Sequence, residues 1–513
     1  MKFSKGEDII VNSRTKSPGW RIYKAEGKEM NDSRNLTLMT DLYELTMMQG
    51  YFRSGNDSVV VFDAFYRKNP NDGGYAIACG LEQIIEYIKK LSFSYGDIEY
   101  LRGLGIFGED FLDYLSSYHF SGDIYSVPEG TVIFPREPVI KVIAPIAEAQ
   151  LIEPALLNLF NHQSLIATKA SRVCYAAAGD GVMEFGLRRA QGPDAGNLGA
   201  RAAVIGGCTG TSNVAAGRLF DIPVKGTHAH SWVMSFPDEY TAFLTYAEMY
   251  PDACILLVDT YDTLKSGVPN AIKVFDEMKR RGVRLGYYGI RIDSGDLAYL
   301  SKRARKMLND AGYPDAVISA SSDLDEEIIR SLKQQNAGIT SWGVGTKMIT
   351  SDGWSSFGGV YKLAAIEDKD TRNFIPKIKI SGNSEKITNP GNKKICRLYG
   401  RENGKIIGDL ICLDEETFSE NEDILLFDPV ETWKKTIAKA GTFRLRELLI
   451  PVFKKGRCVY ESPSVMEIRE NCSAELNTLW EESRRLVNPS TVYVDLSRKL
   501  YDLKQELLDS NRY

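Results

Sequence analysis

The hydrophobic pattern changes its period several times along the chain. The run LTLMTDLYELTMMQGYF repeats apolar residues at helical spacing, and VVVFDAFYRKNP follows with the alternation of a strand. A second helical run, LEQIIEYIKKL, precedes short strands that are interrupted by four prolines. Since proline cannot donate to a sheet, residues 35–147 are predicted to form an N-terminal α+β domain with a mixed sheet of short strands. Residues 1–34 lack sustained periodicity and are predicted to be a polar arm.

From about residue 148 the pattern alternates between helix and strand. A helical run over residues 148–178 leads into six strand-like runs, VMEFGLRR, IPVKGTHA, ACILLVDT, GYYGIRID, AVISAS and ITSWGVG. Successive markers in the last five runs are 30, 33, 30 and 22 residues apart. Repeated right-handed βα units give a parallel sheet with helices outside, as an open doubly wound sheet or a barrel. This domain is predicted to span residues 148–353, before a C-terminal region, 354–513, that returns partly to the N-terminal domain.

Polar residues follow each of the six predicted strands. In both architectures the loops at the carboxyl ends of the strands form the ligand crevice, so the candidate site is placed at that edge. The preference of helix starts for Ser, Asp and Gly accounts for part of the pattern. The residues at these strand ends are Arg188, Arg189, His228, His230, Asp259, Asp262, Arg291, Asp293, Asp296, Ser321, Asp323, Gly343 and Gly345.

Composition and charge indicate which classes of protein the chain is not expected to belong to. The 513 residues include 63 basic and 68 acidic side chains, a net charge of -5, and the apolar fraction of 43% is ordinary for a globular protein. Without a basic block, the chain is not expected to bind nucleic acid. No run is long or apolar enough for a signal peptide or a membrane helix, so a cytoplasmic protein without membrane contact is expected. The eight scattered cysteines are predicted to be reduced, and a zinc site or bridge among the last four stays open.

Two motifs at the strand ends leave alternatives open. The glycines of WGVGTKM either let backbone N–H groups approach a phosphate or simply form a turn. His228 and His230, two residues apart, point to one face if extended, which suits the metal site of a hydrolase. Alternatively, one of them is a nucleophile or acid–base group oriented by a carboxylate such as Asp259, or both are structural. Several cations near the crevice favour a multiply anionic ligand.

From about Leu36 onward the chain resembles the nicotinate phosphoribosyltransferase family. The resemblance is carried by the motifs TDLYELTM, FDAFYRKNP, FPREP, LLNLFNHQSLIATKASR, EFGLRRAQGPDAG, GGCTGTSNVAAG, GTHAHSW, RIDSGDL and WGVGTKM. It implies an α/β fold of the type II phosphoribosyltransferases: an incomplete parallel α/β barrel with an N-terminal α+β domain and a smaller C-terminal region, usually in a homodimer with shared active sites. The implied reaction joins nicotinate to phosphoribosyl pyrophosphate, forming nicotinate mononucleotide and pyrophosphate for NAD synthesis. The resemblance further implies an ATP-dependent, ligase-type enzyme that uses Mg²⁺.

The resemblance also implies roles for individual residues. His230 resembles the histidine that ATP phosphorylates, and Asp259 its orienting carboxylate. Tyr43, contributed by the partner subunit, and Phe185 resemble the pair that sandwiches the pyridine ring. The remaining roles are Arg188 and Arg291 at the nicotinate carboxylate or ribose phosphates, Asp293 at the ribose or the pyridine nitrogen, Gly343 and Gly345 at the 5′-phosphate, and Arg67 and Lys169 at the pyrophosphate.

Ser212 bears on the choice of substrate. The related nicotinamide phosphoribosyltransferase carries an aspartate in the loop that matches GTSNVA, where it accepts from the carboxamide. An acidic side chain would repel the carboxylate of nicotinate and a serine would not, so the acid substrate is favoured. The alternatives are the amide-specific enzyme, a non-catalytic nucleotide-binding paralogue and a metal-dependent hydrolase that uses His228 and His230.

Overall fold

The computed structural model describes residues 35–510, so the arm predicted for residues 1–34 lies outside the described residues. The described chain is an α/β structure built around three larger sheets. Its first part contains α1 (Leu42–Ser54), β1 (Val59–Phe65), a 3₁₀ turn (Pro70–Asp72), β2 (Ala76–Ile77), α2 (Leu81–Lys90), α3 (Tyr95–Gly103), α4 (Glu109–Ser116), β3 (Asp123–Ser126), β4 (Val132–Ile133), β5 (Ile140–Pro145), α5 (Ile146–Leu151) and α6 (Glu153–Ala176).

The second part alternates strands with helices. Its elements are β6 (Gly181–Glu184), a 3₁₀ turn (Leu187–Arg189), α7 (Pro193–Ile205), α8 (Val214–Phe220), α9 (His230–Met234), α10 (Glu239–Met249), β7 (Ala253–Leu257), a π turn (Thr263–Gly267), α11 (Val268–Arg280), β8 (Tyr287–Ile292), α12 (Leu297–Asp310), β9 (Val317–Ser322), α13 (Glu326–Gln334), β10 (Ser341–Val344) and α14 (Thr346–Ile349).

The third part is mostly strands. Its elements are β11 (Val360–Glu367), β12 (Phe374–Pro376), a 3₁₀ turn (Ser384–Lys386), β13 (Lys393–Gly400), β14 (Ile406–Leu413), β15 (Ile424–Phe427), β16 (Lys435–Ala438), β17 (Phe443–Glu447), β18 (Ile450–Lys454), β19 (Arg457–Cys458), α15 (Val465–Thr478), α16 (Glu481–Arg484), β20 (Tyr493–Leu496) and α17 (Arg498–Ser510).

The first sheet has seven strands in the order β12-β11-β1-β5-β3-β18-β19. Its strand pairs are antiparallel, so the prediction of a mixed sheet is wrong in this respect. The central strand β1, VVVFDAF, is buried along most of its length, which explains why its sequence is nearly continuously apolar. Four strands of the third part form the two edges of this sheet, β11 and β12 at one edge and β18 and β19 at the other.

The second sheet carries the predicted βα repeat. Its five strands run in parallel in the order β6-β10-β9-β8-β7, and no backbone pairing joins β7 back to β6 among the described residues. Beyond β6 the sheet continues only through two isolated bridges, from Glu184 to Thr211 and from Thr211 to Val224. The expected incomplete parallel barrel is therefore confirmed. The strand predicted in IPVKGTHA is wrong, because only Val224 pairs there.

One long predicted helix is divided in two. The run over residues 148–178 forms α5 and α6, which are separated at Ile152. Pro154 stands in the first turn of α6. Since proline lacks a backbone N–H, it begins a helix well and continues one poorly. The helices predicted between the later strands are confirmed as α10, α11, α12 and α13.

Buried ion pairs join the third sheet, β17-β13-β14-β20, to the first part of the chain. The guanidinium of Arg397, on β13, donates to both carboxylate oxygens of Asp409 (2.8 and 2.6 Å) and to the carbonyl oxygen of Val132 (2.8 Å). The ammonium of Lys393 lies 2.7 Å from a carboxylate oxygen of Asp63 on β1. Because these groups are buried, each ion needs its partner. The Lys393–Asp63 pair and the hydrogen bond from Arg397 to Val132 join the third sheet to the first part of the chain.

All eight cysteines are free thiols, and the Sγ atoms of Cys396 and Cys412 are 4.0 Å apart, about twice a disulfide bond length. Between residues 35 and 510, no three His, Cys, Asp or Glu side chains group as ligands of a metal ion. No helix in that range is both long and apolar enough to span a membrane.

Candidate active site

The ring of Phe185 lies at the carboxyl edge of the parallel sheet, just after β6. Its backbone N–H donates to the carbonyl oxygen of Val344 on β10 (2.8 Å). A Cβ at Gly343 would lie 2.6 Å from Cδ2 of the ring, and one at Gly345 would lie 3.2 Å from the carbonyl oxygen of Phe185. The glycines of WGVGTKM therefore have a packing reason, because the segment after β6 approaches them closely. Their contact with a 5′-phosphate stays a prediction.

Arg291, on β8, connects three parts of this edge. Its Nε donates to Oγ of Ser321 on β9 (2.7 Å), and its Nη1 donates to Oγ1 of Thr227 (3.0 Å). The third nitrogen, Nη2, donates to Oδ1 of Asp293 (2.7 Å). Cζ of Arg291 is 5.9 Å from the centroid of the Phe185 ring. A planar guanidinium with fixed donor directions suits this role, since it holds all three oxygens and the ring in one arrangement.

Asp293 is held as a carboxylate by these neighbours. Burial alone would raise its pKa, but the hydrogen bond from Ser321 and the charge of Arg291 outweigh burial, and the pKa lies below its usual value. Oδ1 receives both of these hydrogen bonds. Oδ2 faces Nε2 of His230 at 3.9 Å. Asp293 therefore offers a fixed negative charge at the crevice at neutral pH.

His230 is the first residue of the short helix α9, and its side chain is 41% exposed. Nδ1 lies 3.1 Å from Oγ1 of Thr260, directly after β7. If the proton is on Nδ1 and is donated to Thr260, the other nitrogen, Nε2, keeps a free lone pair. Because Nε2 is 3.9 Å from Asp293, it lies beyond hydrogen-bond distance and is open to the crevice. The ring thus has one nitrogen held and one available.

Asp259 occupies a different place from the one expected. It was predicted to orient His230, but the atoms near that ring belong to Thr260 and Asp293. Oδ2 of Asp259 instead accepts from the backbone N–H of Asp293 (2.9 Å) and from Oγ of Ser294 (2.6 Å). The side chain of Asp259 consequently fixes the loop after β8. Its relation to His230 is indirect, through Asp293.

The carboxylates at this edge also suit a magnesium ion. Oδ1 of Asp259 is buried and has no hydrogen-bond partner within residues 35–510. Oδ2 of Asp293 lies at the same edge, and Mg²⁺ is commonly bound by one or two carboxylates together with waters and phosphate oxygens. The donors present therefore fit Mg²⁺, with Asp259 and Asp293 as the residues that would hold it.

His228 is built into the wall of the barrel and does not face the crevice. Its Nε2 accepts from the backbone N–H of Leu257 on β7 (3.2 Å), and its ring packs edge-on against Tyr246 with centroids 4.7 Å apart. Burial lowers the pKa of His228 to about 4. An imidazole whose acceptor nitrogen is already used cannot serve as a metal ligand through that atom. This contact argues against the hydrolase alternative.

The buried imidazole predicts a dependence of stability on pH. The pKa of His228 falls from 6.5 in the unfolded chain to about 4 in the folded one. The contribution of the neutral ring to the free energy of unfolding is therefore complete above pH 6.5 and is lost as the pH falls towards 4, by about 3 kcal/mol. We expect the free energy of unfolding in urea to fall more steeply from pH 7 to 4.5 in the parent than in His228→Gln. Replacement of the exposed His119 by Gln is the matched control, and equal slopes in parent and His228→Gln would contradict the assignment.

Two side chains missed by the sequence analysis complete this edge. Thr260, next to Asp259, supplies the hydrogen-bond partner of His230, and its position at a strand end was the available signal. Glu184 is fully buried at the end of β6. Its carboxylate accepts from Oγ1 of Thr211 (2.6 Å) and from the backbone N–H of Gly186. Burial raises the pKa of Glu184 despite these hydrogen bonds. A single Glu within an apolar strand was the signal for it.

Ser212 stands beside Phe185 in the adjoining segment. The isolated bridge between Glu184 and Thr211 aligns the two segments, and the backbone N–H of Ser212 donates to the carbonyl oxygen of Glu184 (3.0 Å). The side chain of Ser212 is half-buried. Ser212, on which the expected preference for nicotinate over nicotinamide rests, is therefore a neighbour of Phe185, the candidate ring-binding residue.

Lys169 was expected at the pyrophosphate, but the structure places it in a buried ion pair. Its ammonium lies 2.8 Å from Oε2 of Glu326 and donates to the carbonyl oxygen of Asp352 (3.1 Å). Arg172 lies on the other oxygen of Glu326, at 3.1 Å. A cation this deeply buried needs a partner within the chain, and Glu326 supplies it. The role of Lys169 at the pyrophosphate stays a prediction.

The remaining predicted residues are placed without contacts to the others. Arg188 is exposed on the turn after Phe185. Tyr43, in the first turn of α1, is 48% exposed, as a residue offered to another subunit would be. Arg67 is half-buried, with Cζ 5.8 Å from the centroid of the Phe65 ring, and its Nε has no hydrogen-bond partner in the described part of the chain. The roles of these three stay predictions.

Comparison with known proteins identifies relatives of this chain. Family models match in three stretches: the nicotinate phosphoribosyltransferase N-terminal domain over residues 38–161, the nicotinate phosphoribosyltransferase family over 181–403, and its C-terminal domain over 392–504. The nicotinate phosphoribosyltransferase of Bacillus subtilis is 47% identical over 92% of this chain and 95% of its own length. That of Caenorhabditis elegans is 35% identical over 94% and 96%.

Solved structures also resemble this chain. The crystal structure of human nicotinic acid phosphoribosyltransferase superposes with a TM-score of 0.77 at 29% identity, covering 91% of this chain and 99% of that one. The structure of nicotinate-nucleotide pyrophosphorylase from Pyrococcus furiosus shares the fold, with a TM-score of 0.66 at 21% identity, covering 89% and 99%. The sequence identities extend over nearly the full length of both partners, with the residues of the candidate site inside the matched range. The chain therefore belongs to the nicotinate phosphoribosyltransferase family.

Proposed function

We propose that this chain is an ATP-coupled nicotinate phosphoribosyltransferase that forms nicotinate mononucleotide and pyrophosphate from nicotinate and phosphoribosyl pyrophosphate, in NAD synthesis. The observation that carries the proposal is that three groups suited to this reaction lie together at the carboxyl edge of the parallel sheet. An accessible imidazole nitrogen of His230, the Arg291–Asp293 ion pair and the ring of Phe185 all lie there. Membership of the family supports the same reaction.

The pyridine ring and the ribose of the substrates are assigned to the part of the site that contains Phe185, Arg291 and Asp293. Phe185 stacks on the pyridine ring, with Tyr43 of a second subunit on the other face in a homodimer. The pyridine nitrogen bonds to the anomeric carbon of the ribose as that carbon's bond to the pyrophosphate oxygen breaks. Positive charge develops on the ribose at that point, and the fixed carboxylate of Asp293 stabilises it. Arg291 holds that carboxylate and adds a positive charge for the anionic substrates.

ATP coupling is assigned to His230. Nε2 attacks the terminal phosphorus of ATP, the bond to the bridging oxygen breaks, and ADP leaves with the electron pair. Thr260 holds the opposite nitrogen, so that the ring keeps its direction and its tautomer. Mg²⁺, when bound, neutralises phosphate charge in this step. The side chains of Asp259 and Asp293 are the groups that would hold it.

An assay of mononucleotide formation tests the proposal directly. Nicotinate and nicotinamide are offered separately with phosphoribosyl pyrophosphate and Mg²⁺, each with and without ATP. We expect turnover of nicotinate that ATP stimulates. Turnover of nicotinamide alone would favour the amide-specific enzyme, and no turnover with either ring would favour the nucleotide-binding paralogue.

The acid preference predicts the effect of a charge at Ser212. We expect Ser212→Asp to reduce kcat/KM for nicotinate by about tenfold or more while nicotinamide is affected less, because a carboxylate beside the ring repels the substrate carboxylate. The measurement is kcat/KM for both rings in the parent and the variant. Ser212→Asn, of similar size but uncharged, is the control. Equal losses for the two rings in Ser212→Asp would remove this reason for preferring the acid.

A further inference from the structure

A basic cavity, apart from the crevice at the carboxyl edge of the parallel sheet, lies where α6 ends. Its volume is about 630 Å³, and its lining includes Cys174 and Tyr175 of α6, Arg330 of α13, and Arg484 and Arg485 near the end of α16. Among residues 35–510, no acidic side chain belongs to the lining. Three guanidinium groups therefore share one concave surface in a chain whose net charge is -5.

Within residues 35–510, none of Arg330, Arg484 and Arg485 forms an ion pair with a carboxylate. Arg484 lies over the ring of Tyr175, with Cζ 4.9 Å from its centroid, and its buried Nε has no hydrogen-bond partner in that range. Like charges that line one cavity repel one another, and a bound anion reduces that repulsion. Guanidinium groups are also the side chains best suited to phosphate oxygens.

The cavity is separate from the candidate active site. The chain runs from Ala176, at the end of α6, into the start of β6 at Gly181. The lining residues thus lie at the amino end of β6, whereas Phe185 follows its carboxyl end. None of the residues assigned to catalysis or substrate binding lines the cavity.

We propose that this cavity binds a small, multiply charged phosphate compound, and that it is an anion site additional to the catalytic one. Three arginines match a chain of two or three phosphate groups, because each guanidinium can meet a separate phosphate. The cavity volume is in the range of small-molecule sites. This inference concerns binding alone and stands whether or not the proposed reaction is correct.

Cys174 provides the test, because it lines the cavity and is partly exposed. Cys458, the other partly exposed cysteine, does not belong to the lining and serves as the internal reference. The full-length protein is treated with N-ethylmaleimide in increasing inorganic tripolyphosphate at constant ionic strength, and labelling of each thiol is followed by peptide mass spectrometry. We expect the labelling rate of Cys174 to fall severalfold and saturably, while that of Cys458 is unchanged. An unchanged rate at Cys174 would overturn the proposal.

Two variants decide whether the arginines are responsible. We expect Arg330→Gln and Arg485→Gln each to raise the tripolyphosphate concentration for half-protection of Cys174 by about tenfold, the effect of losing one charge-assisted contact. Arg444→Gln, at an exposed position on β17, is the matched control and should protect as the parent does. Protection that is the same in all three variants would mean that the probe acts from elsewhere, such as the strand edge, and would overturn the assignment.

Discussion

His230→Ala is expected to lose the stimulation by ATP and to retain a slower, ATP-independent formation of nicotinate mononucleotide. The imidazole is the group assigned to accept the phosphoryl group, whereas the Arg291–Asp293 pair and Phe185 remain in place for the transfer of the ribose. We expect the ATP-stimulated rate to fall roughly a hundredfold, the scale on which a positioned catalytic group acts. The measurement is mononucleotide formation and ADP release, each with and without ATP.

Controls separate the chemistry of this ring from its position. His119→Ala removes an exposed imidazole elsewhere and should leave both rates unchanged. Thr260→Val removes the hydroxyl beside Nδ1 of His230, and we expect it to reduce ADP release per mononucleotide formed, with Thr260→Ser restoring it. A His230→Ala enzyme that still couples ADP release fully to synthesis would show that the phosphohistidine assignment is wrong.

Arg291→Lys should have the second large effect, although it keeps the positive charge. Three nitrogens of Arg291 are each directed at a different oxygen, those of Ser321, Thr227 and Asp293. A lysine ammonium cannot reach all three in the same plane, so Asp293 loses its fixed direction and its compensating hydrogen bond. We expect kcat/KM for nicotinate to fall about a hundredfold or more.

A pH profile distinguishes this mechanism from a general loss of structure. The pKa of Asp293 is held below its usual value by Ser321 and Arg291 against the effect of burial. In Arg291→Lys the acidic limb of the kcat/KM profile should move to higher pH, because the carboxylate protonates more easily. Arg303→Lys, at an exposed position on α12 that has no assigned role, is the matched control. A fall in rate with no movement of the acidic limb would assign Arg291 to packing only.

Much of the fold could be predicted because local patterns decide it. The βα alternation follows from amphipathic runs between apolar ones, and β7 to β10 with α10 to α13 appear where those runs lie. The two strand errors have a common cause. Neither the pairing direction of the short strands before residue 147 nor the pairing of Val224 is local, since both depend on partners far along the chain.

The residue pattern was enough to predict that Asp259, Arg291 and Asp293 stand at the carboxyl edge of the parallel strands. His230 was expected there as well, but through a predicted strand that does not form. A parallel sheet brings those ends together whatever the side chains do. Which of these side chains contact one another could be seen only in the folded chain. Each contact depends on side-chain direction and on the packing of elements distant in sequence, which a residue pattern does not contain.

For that reason the hydrogen bond to His230 that was expected from Asp259 comes from Thr260 instead. His228 packs in the wall of the barrel and bonds to the backbone of Leu257. Folding also buries Lys169 against Glu326. The basic cavity has the same origin. Its arginines come from α13 and the end of α16, more than a hundred residues apart along the chain, and only folding places them on one surface.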